Sequence, residues 1–193
     1  MKVNNLKVYD LEESLIASGY PMRIDLTEEI TDKTWSRGYN LIIASKDNSA
    51  HAQWLTGVRV SFDLTCSNKM WVEAERYRFL EFVSSQSTMH RISKFDISNC
   101  CNEYVDDVIL NRLKELQDNY LKDKSKENYL KLLYNVPSGF ELTARLTTNY
   151  RCLLNIYNQR HDHRLPEWRE FCQYMLDNLP KFKEMVSYYL NNE

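Results

Sequence analysis

The sequence has few of the residues that interrupt regular structure, and it lacks the usual phosphate-binding loops. Its 193 residues include only four glycines and four prolines, and so few turn-forming residues favour helices. It contains no Walker-type loop and no G-x-G-x-x-G motif, so any phosphate group has to be held by side chains and helix ends. The formal net charge of -2 argues against a nucleic-acid-binding tail and against a basic membrane surface.

Long apolar runs and paired cysteine motifs are absent as well. No apolar run approaches the roughly 18 residues of a spanning helix, and the opening residues MKVNNLKVYD have no signal-peptide core. The five cysteines are odd in number and show no C-x-x-C spacing, which favours free thiols over disulfides or a zinc site. We therefore expect a cytoplasmic protein with reduced cysteines that contacts neither a membrane nor nucleic acid.

The composition is otherwise that of an ordinary globular protein. Hydrophobic residues make up 43% of the chain and charged residues 27%. A chain of this length fits one domain with a sizeable core, or at most two small ones, and we predict a single domain over residues 1–193. Thirteen tyrosines and four tryptophans are compatible with stacking on a flat ligand, with an oligomer interface, or simply with core packing.

Periodicity predicts two strands among several helices. Apolar and polar residues alternate over 58–66 and over 140–148, as in half-buried strands. The predicted helices cover residues 69–83, 103–119 and 126–134, the stretch 147–160, a segment that begins at Pro166, and about 181–190. The first 50 residues are weakly patterned, and residues 84–101 resemble a polar loop.

The stretch 147–160, TTNYRCLLNIYNQR, carries polar residues on its apolar side. At about 100° per residue, Asn149 and Arg160 project in the same direction as the two apolar residues between them, Leu153 and Ile156. A guanidinium on such a face needs an acidic side chain, such as Glu167, or a bound anion, because an unpaired buried charge is costly.

The segment 69–83 repeats this anomaly. Glu75 and Arg78 lie within its predicted apolar stripe, three residues apart, where a helix would let them pair. An internal salt bridge explains the pattern. The alternative is that two helices direct arginines into one anion-binding cleft, since a guanidinium donates two parallel hydrogen bonds to a phosphate.

A spacing in the second half of the chain resembles a family signature. Pro137 is followed after eleven residues by Asn149-x-Arg151-x3-Asn155-x4-Arg160. This pattern is similar to the C-terminal signature of flavin-dependent thymidylate synthases, in which a proline precedes a strand and a helix with these residues follows.

The first half resembles the same family. His51 opens HAQWLTG, where the family has a turn containing His-Glu, and Arg76-Tyr77-Arg78 stands where the family has Arg-His-Arg. The resemblance spans roughly residues 45–180. It implies an α+β fold, with a mostly antiparallel sheet packed by long helices.

The resemblance also implies roles for individual residues. The residues matching family positions that contact FAD are Gln53, Arg76, Tyr77, Arg78, Asn149, Arg151 and Asn155. Arg160 would hold the pyrimidine and favour ionisation of its N3, which makes it the candidate catalytic residue. The family pocket is shared between subunits of a homotetramer.

The positions implied to bind the nucleotide depart from the family. Glu73 stands where a glutamine is expected, and Thr143 stands where an arginine is expected, although Arg145 on the same strand face can substitute. In ungapped register, Ser84 and Thr88 replace a glutamate and an arginine of the family. With a short insertion, Ser85–Gln86–Ser87 and His90–Arg91 could supply those groups. The candidate nucleotide-binding residues are Glu73, Arg76, Ser84, Ser85, Gln86, Ser87, His90, Arg91, Arg145 and Arg160.

The implied activity is transfer of a one-carbon unit from methylenetetrahydrofolate to C5 of dUMP or a related pyrimidine nucleotide, with FAD as cofactor and NADPH as co-substrate. Three alternatives remain open: a relative acting on a different pyrimidine, a nucleotide- or flavin-binding oligomer that lost the reaction, and a protein that serves only in assembly. No metal is expected, because His161-x-His163 has no third ligand at a diagnostic spacing.

Overall fold

The sheet and the helices are described from a computed structural model, over residues 1–47 and 50–190. Within these residues, four strands form one antiparallel sheet in the order β1-β2-β4-β3. The strands are β1 (Lys2–Tyr9), β2 (Arg59–Ser67), β3 (Glu81–Ser85) and β4 (Glu141–Asn149). The fold is therefore α+β with an antiparallel sheet, as the resemblance implied.

Helices occupy most of the remaining described chain. They are α1 (Leu11–Ala17), α2 (Asp32–Ala44), α3 (Asn68–Ala74), α4 (Thr88–Arg91), α5 (Asp107–Lys122), α6 (Lys126–Tyr134), α7 (Tyr150–Arg160), α8 (Pro166–Asn178) and α9 (Phe182–Leu190). Short 3-10 turns lie at Tyr20–Met22, Ser45–Asp47, Ala50–Thr56, Ile92–Lys94 and Ile97–Asn99.

Helix starts follow from local capping chemistry. The Ser67 hydroxyl accepts a hydrogen bond from the Met70 amide at the start of α3, and Ser125 does the same for Asn128 at the start of α6. Pro166 begins α8 at a position where its missing N–H costs nothing. These caps fix where each helix begins.

The chain divides into two compact units, which are described separately. Unit 1 comprises Met1–Asn4, Asp63–Tyr77 and Phe82–Leu146. Its helical part has a buried cluster, against which Phe95 packs edge-on to Phe140 at 5.4 Å. The cluster consists of Ile92, Ile97, Leu113, Leu116, Leu132 and Phe140.

Unit 2 comprises Asn5–Phe62, Arg78–Glu81 and the chain from Thr147 onward. Inward-facing residues of β2 pack on the C-terminal helices; Phe62, for example, lies 5.7 Å from the Phe171 ring of α8. At the start of α7, Tyr150 lies edge-on to Phe182 of α9 and donates a hydrogen bond to the Pro180 carbonyl at 2.8 Å. These contacts bury the C-terminal helices against the rest of unit 2.

Most predicted elements are confirmed. The alternating segments are the central strands β2 and β4, and the helix predicted over 126–134 is α6. The stretch 147–160 contains α7, with Leu153 and Ile156 buried and Arg151 and Asn155 exposed, as its periodicity indicated.

The helix predicted over 69–83 is wrong in its second half. The helix α3 ends at Ala74, and residues 81–85 form the strand β3. Phe79 and Phe82 would lie in the apolar stripe of a helix over 69–83, but they are 55% and 39% exposed. The predicted helical pairing of Glu75 with Arg78 fails too, because both residues follow the end of α3.

The weakly patterned N-terminal segment also contains regular structure, namely β1, α1 and α2. The segment 84–101, predicted as a loop, includes the end of β3, the short helix α4 and two 3-10 turns.

Three further findings bear on function. All five cysteines are free thiols, as predicted. Among the described residues, no group of three or more His, Cys, Asp or Glu is placed to hold a metal ion. No helix in the described part of the chain is both long enough and apolar enough to cross a membrane.

Candidate functional site

In unit 1, the polar side of the sheet carries the candidate nucleotide-binding residue Arg145. Its Nη1 lies 3.1 Å from Asp63 Oδ1 on the neighbouring strand β2. Beside this ion pair, the hydroxyls of Thr65 and Thr143 are 2.7 Å apart. Arg145 therefore does not present an uncompensated charge, because Asp63 balances it.

The segment after β3 is fastened to β4 through Gln86. The Gln86 amide donates to the Thr143 carbonyl, and Gln86 Oε1 accepts from the Thr143 amide, each at 2.9 Å. Gln86 thus fixes the segment through one main-chain and one side-chain hydrogen bond. Ser84 and Ser85 are exposed on β3, where their hydroxyls are open to a ligand.

The helix α4 brings three candidate residues together. Ser87 caps it by accepting a hydrogen bond from the His90 amide at 3.3 Å, and the Ser87 hydroxyl lies 3.2 Å from His90 Nδ1. Arg91 is exposed at the end of α4, and its guanidinium has no ion pair or hydrogen bond with another described residue.

The Arg-Tyr-Arg motif follows the end of α3. Arg76 and Arg78 are both exposed, and within residues 1–47 and 50–190 neither guanidinium has an acidic partner. Tyr77 is half-buried. On α3 itself, Glu73 lies 3.8 Å from Lys69 one turn earlier. The motif therefore offers two uncompensated positive charges.

In unit 2, two candidate flavin-contacting residues that are distant in sequence are hydrogen-bonded to each other. Arg151, in the first turn of α7, donates from Nη1 to Gln53 Oε1 at 2.6 Å. Both side chains are exposed. Further along the exposed side of α7, Asn155 accepts a hydrogen bond from Gln159 at 3.1 Å.

Asn149 has a structural role that the sequence analysis did not assign. It is 5% exposed, and its Oδ1 caps α7 by accepting a hydrogen bond from the Cys152 amide at 2.9 Å. An asparagine in this position stabilises a helix start, typically by about 1 kcal/mol. Its position at the head of the motif is thus explained in part by capping.

Arg160 ends α7 and is half-buried. Its Nη1 lies 2.7 Å from His163 Nε2, and its guanidinium carbon lies 5.2 Å from the centre of the buried Trp168 ring. This arrangement holds the guanidinium by a hydrogen bond and a cation–π contact. Neither His163 nor Trp168 was predicted from the sequence as a partner of Arg160.

The buried thiols near this helix are poor nucleophiles. Burial raises the pKa of Cys172 to about 12 and also raises the pKa of Cys152. Both side chains therefore stay protonated at neutral pH, and the thiolate is the reactive form.

Comparison with known proteins supports a full-length structural likeness. No protein-family model and no curated protein sequence matches the chain. Thymidylate synthase X from Helicobacter pylori, in a structure solved with FAD and dUMP, matches with a TM-score of 0.77 at 16% identity, over 98% of this chain and 100% of that one. The chain has the fold of thymidylate synthase X.

A second structure of the flavin-dependent thymidylate synthase from Helicobacter pylori, also complexed with FAD and dUMP, matches with a TM-score of 0.73 at 17% identity and 99% coverage of both chains. The likeness to thymidylate synthase X thus includes the weakly patterned N-terminal segment as well as the two motif regions.

Proposed function

We propose that this protein binds FAD and transfers a one-carbon unit to C5 of a pyrimidine nucleotide, dUMP or a close relative of it. The observation that carries the proposal is the hydrogen bond between Gln53 and Arg151. Both residues were assigned to the flavin from separate motifs 98 residues apart, and the fold brings their side chains together. The full-length likeness to proteins solved with FAD and dUMP supports the same assignment.

The residues present fit FAD. The side chains of Arg76, Arg78 and Arg151 are exposed. A planar guanidinium donates two parallel hydrogen bonds, which suits the two phosphates of a dinucleotide. Gln53 and Asn155 add exposed amides, which can donate to and accept from a flavin ring. These five residues would hold the cofactor, with Tyr77 and Asn149 beside their motif neighbours.

Bound FAD supplies hydride transfer, and the protein supplies binding, orientation and electrostatics. The implied co-substrates are methylenetetrahydrofolate and NADPH. Arg160 is the residue proposed to hold the pyrimidine and to stabilise negative charge on its ring. Its contacts with His163 and Trp168 fix the guanidinium before substrate binds, and such preorganisation is what electrostatic catalysis requires.

The test begins with flavin retention. Protein mixed with FAD and then desalted is expected to keep a visible flavin absorbance band, and to form dTMP from dUMP when methylenetetrahydrofolate and NADPH are added. Arg151→Gln is expected to weaken FAD binding about tenfold, because a charge-assisted hydrogen bond is lost. Product is measured by chromatography.

The matched control is Arg112→Gln. Arg112 is also exposed on a helix, but its guanidinium binds Glu115 at 2.6 Å, and no flavin role is assigned to it. This variant is expected to bind FAD as the wild type does. A colourless wild-type protein that also shows no heat of binding with FAD would refute the proposal.

One observation favours a second candidate function, a flavin- and nucleotide-binding oligomer without the reaction. The only arginine on the strand that could replace the family's nucleotide-binding arginine is already paired with Asp63. FAD retention without any dTMP formation would support this second candidate.

A further inference from the structure

The ion pair between Asp63 and Arg145 changes what the polar side of the sheet in unit 1 can bind. The two side chains face each other across β2 and β4 at 3.1 Å. They are 24% and 31% exposed, respectively, so a ligand can reach them. In the same unit, Thr65 lies two residues after Asp63 on β2, and Thr143 lies two residues before Arg145 on β4. Each threonine contributes a hydroxyl beside the pair.

A phosphate placed against Arg145 would also lie close to the Asp63 carboxylate. Two like charges a few ångströms apart repel each other even in partly solvated surroundings. That repulsion opposes the attraction of the guanidinium. An uncharged hydroxyl has no such difficulty, because it can donate to the carboxylate and accept from the guanidinium.

We infer that Asp63 is a specificity-determining residue of the proposed nucleotide site. By cancelling the charge of Arg145, it makes this part of the sheet a site for the uncharged sugar hydroxyls of the substrate and not for its phosphate. The inference rests on the proposed function, and it assigns a role to a residue outside both family motifs.

The neighbouring groups suit the same ligand chemistry. The Thr65 and Thr143 hydroxyls are neutral and can each act as donor or acceptor. The side chain of Gln86 is engaged by the Thr143 amide at 2.9 Å and brings no charge. The cluster of Asp63, Thr65, Thr143, Arg145 and Gln86 therefore has no net charge.

The test compares binding of dUMP with binding of 2′-deoxyuridine, by calorimetry on the FAD-loaded protein. In Asp63→Asn the guanidinium loses its counter-charge but keeps an oxygen acceptor. This variant is expected to bind dUMP roughly fivefold more tightly or better, with no gain in affinity for 2′-deoxyuridine. Arg145→Gln removes the positive charge opposite Asp63 and is expected to weaken dUMP binding by a similar factor.

The double variant Asp63→Asn/Arg145→Gln is the matched control, because it replaces an ion pair with a neutral amide pair. It is expected to bind dUMP within about twofold of the wild type, since the two single effects should cancel. If Asp63→Asn fails to fold, as judged by its melting curve, Arg145→Gln and the double variant still decide the question.

The outcomes separate the two proposals. Unchanged dUMP affinity in both single variants would overturn the role of Asp63 while leaving the proposed function intact. The role would also be overturned by a double variant that binds dUMP as weakly as Arg145→Gln but binds 2′-deoxyuridine as the wild type does, because Arg145 would then be a direct phosphate ligand. Absence of binding of either pyrimidine by all the proteins would overturn the proposed function, and the inference with it.

Discussion

Arg160 meets the requirement of its helical position in part through His163 and Trp168. A half-buried guanidinium at the end of an apolar stripe needs compensation, and it lies 2.7 Å from His163 Nε2 and 5.2 Å from the centre of the Trp168 ring. These two contacts orient the guanidinium, which is the group proposed to stabilise an anionic pyrimidine.

Arg160→Ala is expected to lower the free energy of unfolding by about 1–2 kcal/mol, because the hydrogen bond with His163 and the cation–π contact with Trp168 are lost. The variant should keep its flavin. Wild-type protein should melt at a higher temperature when dUMP is added, and Arg160→Ala should not. Thermal denaturation with and without dUMP measures both effects.

The control for this comparison is Arg164→Ala, because Arg164 is an exposed arginine only four residues away. It should melt like the wild type and retain the stabilisation by dUMP. If Arg160→Ala lowers the free energy of unfolding by about 3 kcal/mol or more without nucleotide, the loss would indicate a buried acid left without its partner. The buried Glu167 is the nearest candidate along the chain, and Arg160 would then be a structural residue.

Motifs point to single residues, whose roles stay predictions, but they do not name the partners of those residues in the fold. Motif spacing pointed to Gln53 and Arg151 separately, and the structure joins them. Alternation placed Asp63 on the polar face of its strand, yet the sequence does not state which residue of β4 lies opposite. That depends on strand register, which is set by the fold.

Helices and strands were predictable where one periodicity dominates. The helix α6 matched its predicted bounds, and α8 begins at its proline. The helix prediction for 69–83 fails because residues 81–83 belong to β3 and pair in the sheet, while the exposed Phe79 and Phe82 mimic a helical stripe. The strand β1 has no fully buried residue, so burial leaves little pattern in its sequence.

The segment between α1 and α2 is held by one carboxylate. Glu28 accepts hydrogen bonds from Arg37 Nη1 and Nη2 at 2.8 and 2.9 Å and from Thr34 Oγ1 at 3.2 Å, and it also pairs with Arg23. The hydrogen bond from Arg37 is the main reason that the pKa of Glu28 falls from 4.5 to about 2.

This lowered pKa makes stability depend on pH. Because the folded pKa lies below the unfolded one, Glu28 contributes its full stabilisation above about pH 4.5 and loses it as the pH falls toward about 2. Glu28→Gln is therefore expected to be less stable than the wild type at pH 7, and to lose less stability between pH 5 and pH 2. Urea unfolding at a series of pH values measures this.

Glu12→Gln serves as the control for Glu28→Gln, because Glu12 is an exposed carboxylate of α1 with no salt bridge or side-chain hydrogen bond to another described residue. Its stability should follow the pH dependence of the wild type. Equal pH dependence in Glu28→Gln and the wild type would show that the contacts with Arg37 do not stabilise the fold.

The fold agrees with the family resemblance, and the surface adds an argument about assembly. Each unit exposes large apolar side chains: Met22 and Ile24 in unit 2, and Val72, Val83 and Val108 in unit 1, all at least 65% exposed. Exposed apolar surface favours association. Sequence periodicity cannot reveal such surface, because a residue buried only between subunits resembles a core residue.

The homotetramer implied by the resemblance therefore remains a prediction that can be tested through the flavin. If residues 76–78 of one subunit and 149–155 of another build each FAD site, Arg76→Ala/Arg78→Ala and Arg151→Ala should each bind FAD poorly. Mixed tetramers of the two variants should regain about a quarter of the wild-type sites, because each half of a site is intact in half of the subunits.

Light scattering should report four subunits, and flavin absorbance after desalting counts the sites. A stable monomer, or a mixture that binds no more FAD than the separate variants, would contradict a shared site.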